Sequence, residues 1–252
     1  GSIEGSGTLT ATVNATAAEG TGLIVAPGLS AGSLTITGAT TLDANDTVAI
    51  QIGGVTPGTY DTLTVNNTLT LGSGILSVEV IDAYPLKKNA ELSVITANTI
   101  SGTFGSKVTA GTALAYYDVQ YVDGTPTDSV ILKNFDLYPI ATLTITDTGA
   151  WNFLFDGSSS VDPDDPTPSL LSFAWDLDNG AYTLSGLGTD SFTRTLGAGT
   201  HVISLTVTDD DGHGAFGTYL LTFVVPEPSG LLLATLALAT LGLRYGKHHR
   251  DT

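Results

Sequence analysis

Three groups of aspartates are the part of this sequence whose residue types and spacing could do chemistry. Asp162, Asp164 and Asp165 fall in one short stretch, Asp176 and Asp178 in a second, and Asp209, Asp210 and Asp211 in a third. Calcium is a hard cation that takes roughly six to eight oxygens in a flexible shell, and loop carboxylates supply them. Acidic loops brought together without a cation would repel one another. Asp162, Asp164, Asp176, Asp178, Asp209 and Asp211 are therefore the candidate calcium ligands. A plainer reading competes with this one: aspartates in turns accept hydrogen bonds from their own backbone. The D-L-D-N-G stretch at 176–180 is also shorter than a full EF-type loop, so local sequence does not define a site. Both readings stay open at this point.

Other reactive groups are poorly placed. The histidines are His201, His213, His248 and His249. His201 begins a strand-like run, His213 sits among glycines, and the last two belong to a basic C-terminal cluster, so none has an evident partner for metal or proton chemistry. Serine is plentiful, but no G-x-S-x-G elbow is present to single one out as a nucleophile. The glycine-rich stretches "GGVTPG" and "GLGTDS" lack the following helix and the Lys-Ser/Thr pair of a phosphate loop. Tyr116, Tyr117 and Tyr121 could form a stacking strip for sugars or could finish the core of a strand pair. These residues assign no catalytic group, and the chain is expected not to be an enzyme in its own right.

The elements that would have to position these groups are strands. Gly, Thr and Ser are abundant, Glu, Lys, Arg and Gln are scarce, and short Thr/Val/Ile/Leu runs alternate with Gly, Asn and Asp punctuation. That pattern is all-β. Over residues 1–135, Leu34 and Ile36 share one face, as do Leu63 and Val65, Leu69 and Leu71, and Leu76, Val78 and Val80, with threonines on the opposite face. The punctuation recurs too often for long sandwich strands. It predicts a short solenoid of stacked rungs, with a sandwich edge sheet as the alternative. Over 136–225 the character changes. "FAWDL" places Phe173 and Trp175 on one face, and "HVISLTVTD" sets Ile203, Leu205 and Val207 against Val202, Ser204, Thr206 and Thr208. Strands of this length between Asp/Gly turns predict an antiparallel sandwich.

Two resemblances attach to these halves. The P-G-x-S-x-G-x-L-T-I pattern at Pro27–Ile36, D-x-L-x-V at Asp61–Val65 and V-I-T-A…G-T-F at Val94–Phe104 resemble the last rungs of autotransporter-type β-helix passenger repeats, over roughly residues 20–135. The resemblance implies a structural, stalk-like segment, and no membrane β-barrel follows it here. "FDGSSSVDPDD" at Phe155–Asp165, "WDLDNG" at Trp175–Gly180 and "GTHVISLTVTDDDG" at Gly199–Gly212 resemble a PKD domain, an immunoglobulin-like module. The usual W-D-F-G-D-G is altered to W-D-L-D-N-G. This resemblance implies an extracellular spacer or binding module rather than a catalyst.

Charge and the C-terminus point to location. The chain has 25 Asp+Glu against 8 Lys+Arg, a net charge of −17, which repels phosphate backbones and argues against nucleic acid as a partner. It has no cysteine, hence no disulfide or thiolate site. It has no methionine and shows no N-terminal signal peptide, so it reads as a fragment or processed product whose export signal lies upstream. At the other end, V-P-E-P-S precedes an uncharged apolar run over 229–243 and then Arg244 and a basic cluster. As a helix this run would span roughly 22 Å at 1.5 Å per residue, short of the roughly 30 Å hydrocarbon core. The basic end should stay cytoplasmic. Pro226, Glu227, Pro228 and Arg244, with the run between them, resemble a PEP-CTERM sorting signal. That implies a surface protein of a Gram-negative bacterium, held briefly in the membrane and processed by an exosortase near Pro-Glu-Pro.

The expected organisation is thus a solenoid over 1–135, an immunoglobulin-like sandwich over 136–225 and an apolar helical sorting tail over 226–252. The expected role is an exported structural or adhesive protein, with extracellular polysaccharide or other surface proteins as partners. The alternatives are the stalk and sorting tail of a larger secreted enzyme, or a carbohydrate-binding surface module.

Overall fold

A computed structural model of the chain describes residues 1–15, 22–165, 171–210, 213 and 216–227. The expected C-terminal helix and Pro228 and Arg244 lie outside these residues. Among the described residues the fold is all-β, and no helix is long and apolar enough to cross a membrane. The chain forms two compact units. One comprises Gly1–Ile140 with Val161–Leu171 and Thr208–Gly217; the other comprises Ala141–Ser160, Ser172–Val207 and the chain from Thr218 onward.

The first unit is a β-solenoid, as the rung pattern predicts. One sheet has the order β1 (Ser2–Glu4), β4 (Ile24–Ala26), β7 (Thr47–Ile52), β9 (Ile75–Val80) and β11 (Ser106–Ala110), with each neighbouring pair parallel. The facing sheet stacks β2 (Gly7–Leu9), β5 (Ser33–Ile36), β8 (Thr62–Thr70) and β10 (Leu92–Ser101) in parallel, with β3 (Val13–Asn14) and β6 (Thr40–Thr41) beside them. Each coil therefore contributes one strand to each sheet before the next coil begins. Strand alternation sends every second side chain inward. Leu34 lies opposite Leu63, and Leu63 opposite Ile95; on the other sheet Ile50 lies opposite Val78. All five are buried, so like residues stack in continuous columns.

Outside the core, threonines stack the same way. Thr35 pairs with Thr64 and Thr64 with Thr96, and the Thr64 and Thr96 hydroxyls lie 3.3 Å apart. Close coil stacking also demands glycine. Gly72 has φ of 50°, and a Cβ there would lie 2.0 Å from the Leu42 carbonyl oxygen of the coil before. The stack ends where the direction reverses: β13 (Asp128–Leu137) pairs antiparallel with β10, and β12 (Leu114–Val122) antiparallel with β13. A hairpin thus closes the parallel stack.

The second unit is a seven-stranded immunoglobulin-like sandwich. One sheet has the order β14 (Thr144–Gly149), β15 (Asn152–Asp156), β18 (Ser191–Thr195). The other has the order β17 (Tyr182–Leu187), β16 (Ser172–Leu177), β19 (Gly199–Thr208), β20 (Phe216–Val225). The pairs β14–β15, β15–β18 and β16–β17 are antiparallel. The alternation read in "HVISLTVTD" holds: Ile203, Leu205 and Val207 are buried. Phe173 and Trp175 are buried together with Phe155. The Trp175 indole N–H donates to the Thr189 carbonyl at 2.7 Å, and its ring meets Phe192 edge-on at 5.2 Å. That donor needs a partner once the ring leaves water, and Thr189 supplies it.

Candidate functional site

The acidic groups are best understood from the backbone amides they serve. In the solenoid, Asp46 and Asp61 each stand one residue before a strand and are fully buried. Asp46 accepts from the Leu23 amide at 2.7 Å and the Asp43 amide at 2.6 Å. Asp61 accepts from Gly32 at 2.7 Å and from Gln51 at 2.8 Å. Where a coil turns between sheets, its amides point away from the ladder and need an acceptor. A short carboxylate from a neighbouring turn provides two. Burial pushes the Asp61 carboxyl up to about 6, although the Gln51 and Gly32 amides pull it down. Asp128 does the same work at the surface of the closing hairpin, accepting from Ile100 at 2.8 Å and Gly124 at 3.1 Å, and these bonds hold its carboxyl below the usual range.

The calcium candidates divide between the units. Asp162 and Asp164 lie in the segment packed with the solenoid. Asp162 accepts from the amides of Asp164 at 3.2 Å and Asp165 at 3.3 Å, which is turn chemistry within its own loop. Asp164 reaches much farther and accepts from the Leu137 amide at the end of β13. The loop is tied down further by the Lys88–Asp165 pair at 2.7 Å and by Lys87 donating to the Pro163 carbonyl at 2.8 Å.

Asp176 and Asp178 share the turn from β16 to β17, where Asp178, Asn179 and Gly180 all have left-handed φ values of 54°, 52° and 91°. The altered W-D-L-D-N-G is therefore the sequence of a tight turn. Asp176 caps it, accepting from Gly180 at 2.6 Å. Asp178 crosses to β19, accepting from the Val202 amide at 2.9 Å and pairing with His201 Nδ1 at 2.7 Å. His201 Nε2 faces the Gly197 carbonyl at 2.9 Å, so both ring nitrogens donate and the imidazolium form is favoured. The bond to Asp178, then the one to Gly197, raises the His201 pKa. Burial would raise the Asp178 carboxyl, but its bonds to His201 and Val202 outweigh that and hold it below the usual range.

Asp209 is buried directly after the last residue of β19, whereas Asp178 binds near that strand's start, so these two candidates belong to opposite ends of one ten-residue strand. Asp210 is exposed and Asp211 lies outside the described residues. Among the described residues, no group of three or more His, Asp or Glu side chains is arranged to hold a metal ion.

The tyrosine run finishes the closing strands and forms no stacking strip. Tyr117 is buried and donates to the Leu76 carbonyl at 2.8 Å, and burial pushes its hydroxyl pKa up. Tyr121 accepts from the Phe104 amide at 2.8 Å. Both faces of the Tyr116 ring are occupied, by the Lys107 ammonium at 3.9 Å and by the His213 ring at 3.8 Å. His213 Nδ1 in turn lies 3.0 Å from the fully buried Asp136 carboxylate. Sequence reasoning missed Asp136, Asp46 and Asp61. A signal existed for the last two, since each immediately precedes a Thr that opens an inward/outward alternation.

No protein-family model and no curated protein matches the chain. Solved structures do. The PKD1 domain of Vibrio anguillarum Epp is 31% identical over 37% of this chain and 99% of that one, with a TM-score of 0.30. The PKD1 domain of the Vibrio cholerae metalloprotease PrtV is 27% identical over 36% of this chain and 99% of that one, with a TM-score of 0.29. A structure of carbohydrate-binding modules from the β-sandwich superfamily is 26% identical over 37% of this chain and 36% of that one, with a TM-score of 0.31.

Proposed function

We propose that this chain is an exported structural or adhesive protein of a Gram-negative cell surface, delivered by an exosortase-type system that reads residues 226–252. The solenoid gives reach, and the sandwich acts as a spacer or weak binding module for extracellular polysaccharide or other surface proteins. One observation carries the reading: the buried carboxylates Asp46 and Asp61 are each engaged by two backbone amides. Their acceptor capacity is committed to holding the coils together, which a scaffold requires and which does not suit a reacting group. The order Pro226-Glu227-Pro228, apolar run, Arg244 supports delivery to the surface. Calcium belongs to the same proposal, at the acidic stretches holding Asp162 and Asp164 and Asp209 and Asp211. Asp176 and Asp178 are better accounted for by Gly180, Val202 and His201.

Fractionation of cells producing the chain behind an N-terminal export signal tests this. The chain should reach the surface fraction in a shortened form. Replacing Pro226, Glu227 and Pro228 by alanine should leave it uncleaved in the inner membrane. Recovery of the unaltered chain from the cytosol with its apolar terminus intact overturns the proposal.

A further inference from the structure

Sheet edges expose unpaired N–H and C=O groups, and soluble proteins protect them with short strands, charges, prolines or irregular backbone. Among the described residues, nearly every edge follows this rule. β1 is three residues long and carries Glu4, and β2 and β3 are no longer. β11 carries Lys107, β12 carries Asp118, β14 carries Asp147 and β18 carries Arg194. β17 is uncharged but bears Gly186 at φ of 134°.

β20 is the exception. It is ten residues long, F-G-T-Y-L-L-T-F-V-V, with no charge and no proline, in a chain of net charge −17. Among the described strands it ends its sheet, with β19 on one side only. Its inward residues are anchored: Val225 is buried, and Phe223 packs 6.0 Å from Phe155. Its outward face presents Leu220 at 68% exposure and Val224 at 69%, spaced by Thr218 and Thr222.

We infer that β20 is an interaction edge, and that its partner is the β20 of a second copy, paired antiparallel across a twofold axis into one continuous sheet. The charge pattern selects this occupant. Two copies at −17 each repel wherever their charged surfaces approach, and ten uncharged residues let them meet without setting like charges opposite one another. A twofold contact needs only this one strand, because the same surface serves both sides. The pairing would satisfy the open backbone groups and cover Leu220 and Val224 together. Added salt should strengthen it by screening the repulsion between the rest of the two chains.

The absence of cysteine makes a direct test available in the full chain. Single cysteines at Thr218, Leu220 and Thr222, and a control at Ser185 on β17, are oxidised gently in mild detergent. At least one β20 position should yield a covalent dimer while Ser185→Cys stays monomeric. In sedimentation, the unaltered chain should dimerise more tightly as salt rises. The Leu220→Lys/Val224→Lys variant should dimerise at least about tenfold more weakly, with an unchanged melting temperature at a dilution where both chains are monomeric. A chain that stays monomeric at high salt, a Ser185→Cys dimer as abundant as those from β20, or a lysine variant that dimerises normally would each overturn the inference.

Discussion

The two units use the same acidic residue in different balances of long-range and local bonding. In the solenoid, aspartates are buried and bridge segments far apart in sequence: Asp61 accepts from Gly32, Asp46 from Leu23 and Asp164 from Leu137. In the sandwich, Asp176 caps its own turn, and the partly exposed Asp178 takes the Val202 amide together with a histidine. The difference follows from strand direction. Parallel coils need connections that cross from sheet to sheet, and the amides at those corners fall outside the ladder and take carboxylate acceptors. Antiparallel strands are joined by tight turns that satisfy themselves. An acid-rich composition therefore serves mostly coil-to-coil bridging in one unit and mostly the turn from β16 to β17 in the other.

The comparison can be broken or sharpened experimentally. The largest effect should come from Trp175→Ala, which removes the centre of the sandwich core and should cost about 3–5 kcal/mol. Calorimetry should show the sandwich transition collapsing while the solenoid transition stays in place. Asp61→Ala should destabilise the solenoid by about 2–4 kcal/mol, because it strands two part-buried amides at roughly 1–2 kcal/mol each, the lower part of the range for a buried group. Its effect should appear in the other transition.

Titration then separates the units by sign. The Asp61 value of about 6 lies above its ordinary 3.8, so its contribution is full below that ordinary value and is lost as pH rises through about 6. Solenoid stability should therefore fall between pH 4 and 7, and Asp61→Asn should flatten that slope. The Asp178–His201 pair behaves otherwise. His201 is raised, so its share persists below its ordinary 6.5 and fades as pH climbs through the raised value. Asp178 is lowered, so its share is present above its ordinary 3.8 and fades as pH falls through the lowered value. Sandwich stability should be flat between the ordinary 3.8 of Asp178 and the ordinary 6.5 of His201, while solenoid stability falls there, and His201→Gln should remove the alkaline loss. The smallest effect concerns calcium. Millimolar calcium should stabilise the solenoid transition by about 1 kcal/mol for a weak site, seen as a higher melting temperature, and chelator should reverse it. No shift would leave the acidic stretches as hydrogen-bonding loops only.

Much of the fold was legible in the residues because alternation is local. Leu34, Ile36, Leu63, Val65, Leu76 and Val78 read as one inward set, and all are buried. So do Phe173 and Trp175. The partners of the acids were not legible, because they depend on which coil lies beside which. Nothing near Asp164 in sequence points to Leu137, and nothing near Asp136 points to His213. The tyrosines at 116, 117 and 121 share one strand, yet only three-dimensional packing decides that Tyr117 is core and that Tyr116 has both faces covered. The turn at 176–180 could be read as a calcium loop because turns and calcium loops draw on the same Asp, Asn and Gly residues.

The parallel register carries a kinetic consequence. Leu34 meets Leu63 and Leu63 meets Ile95, so each coil finds its neighbour about one loop length along the chain and never across the whole unit. Such a stack behaves as a zipper, in which docking of two adjacent coils nucleates growth and each further coil adds by contact with the last. In a polypeptide of residues 1–252, opening should run the same way, fraying from the coil of β1 and β2, where β1 pairs with β4 alone and β2 with β5 alone among the described strands. Amide exchange should accordingly form a gradient, fastest at Ile3 and slowest where β8 and β10 lie between partners on both sides.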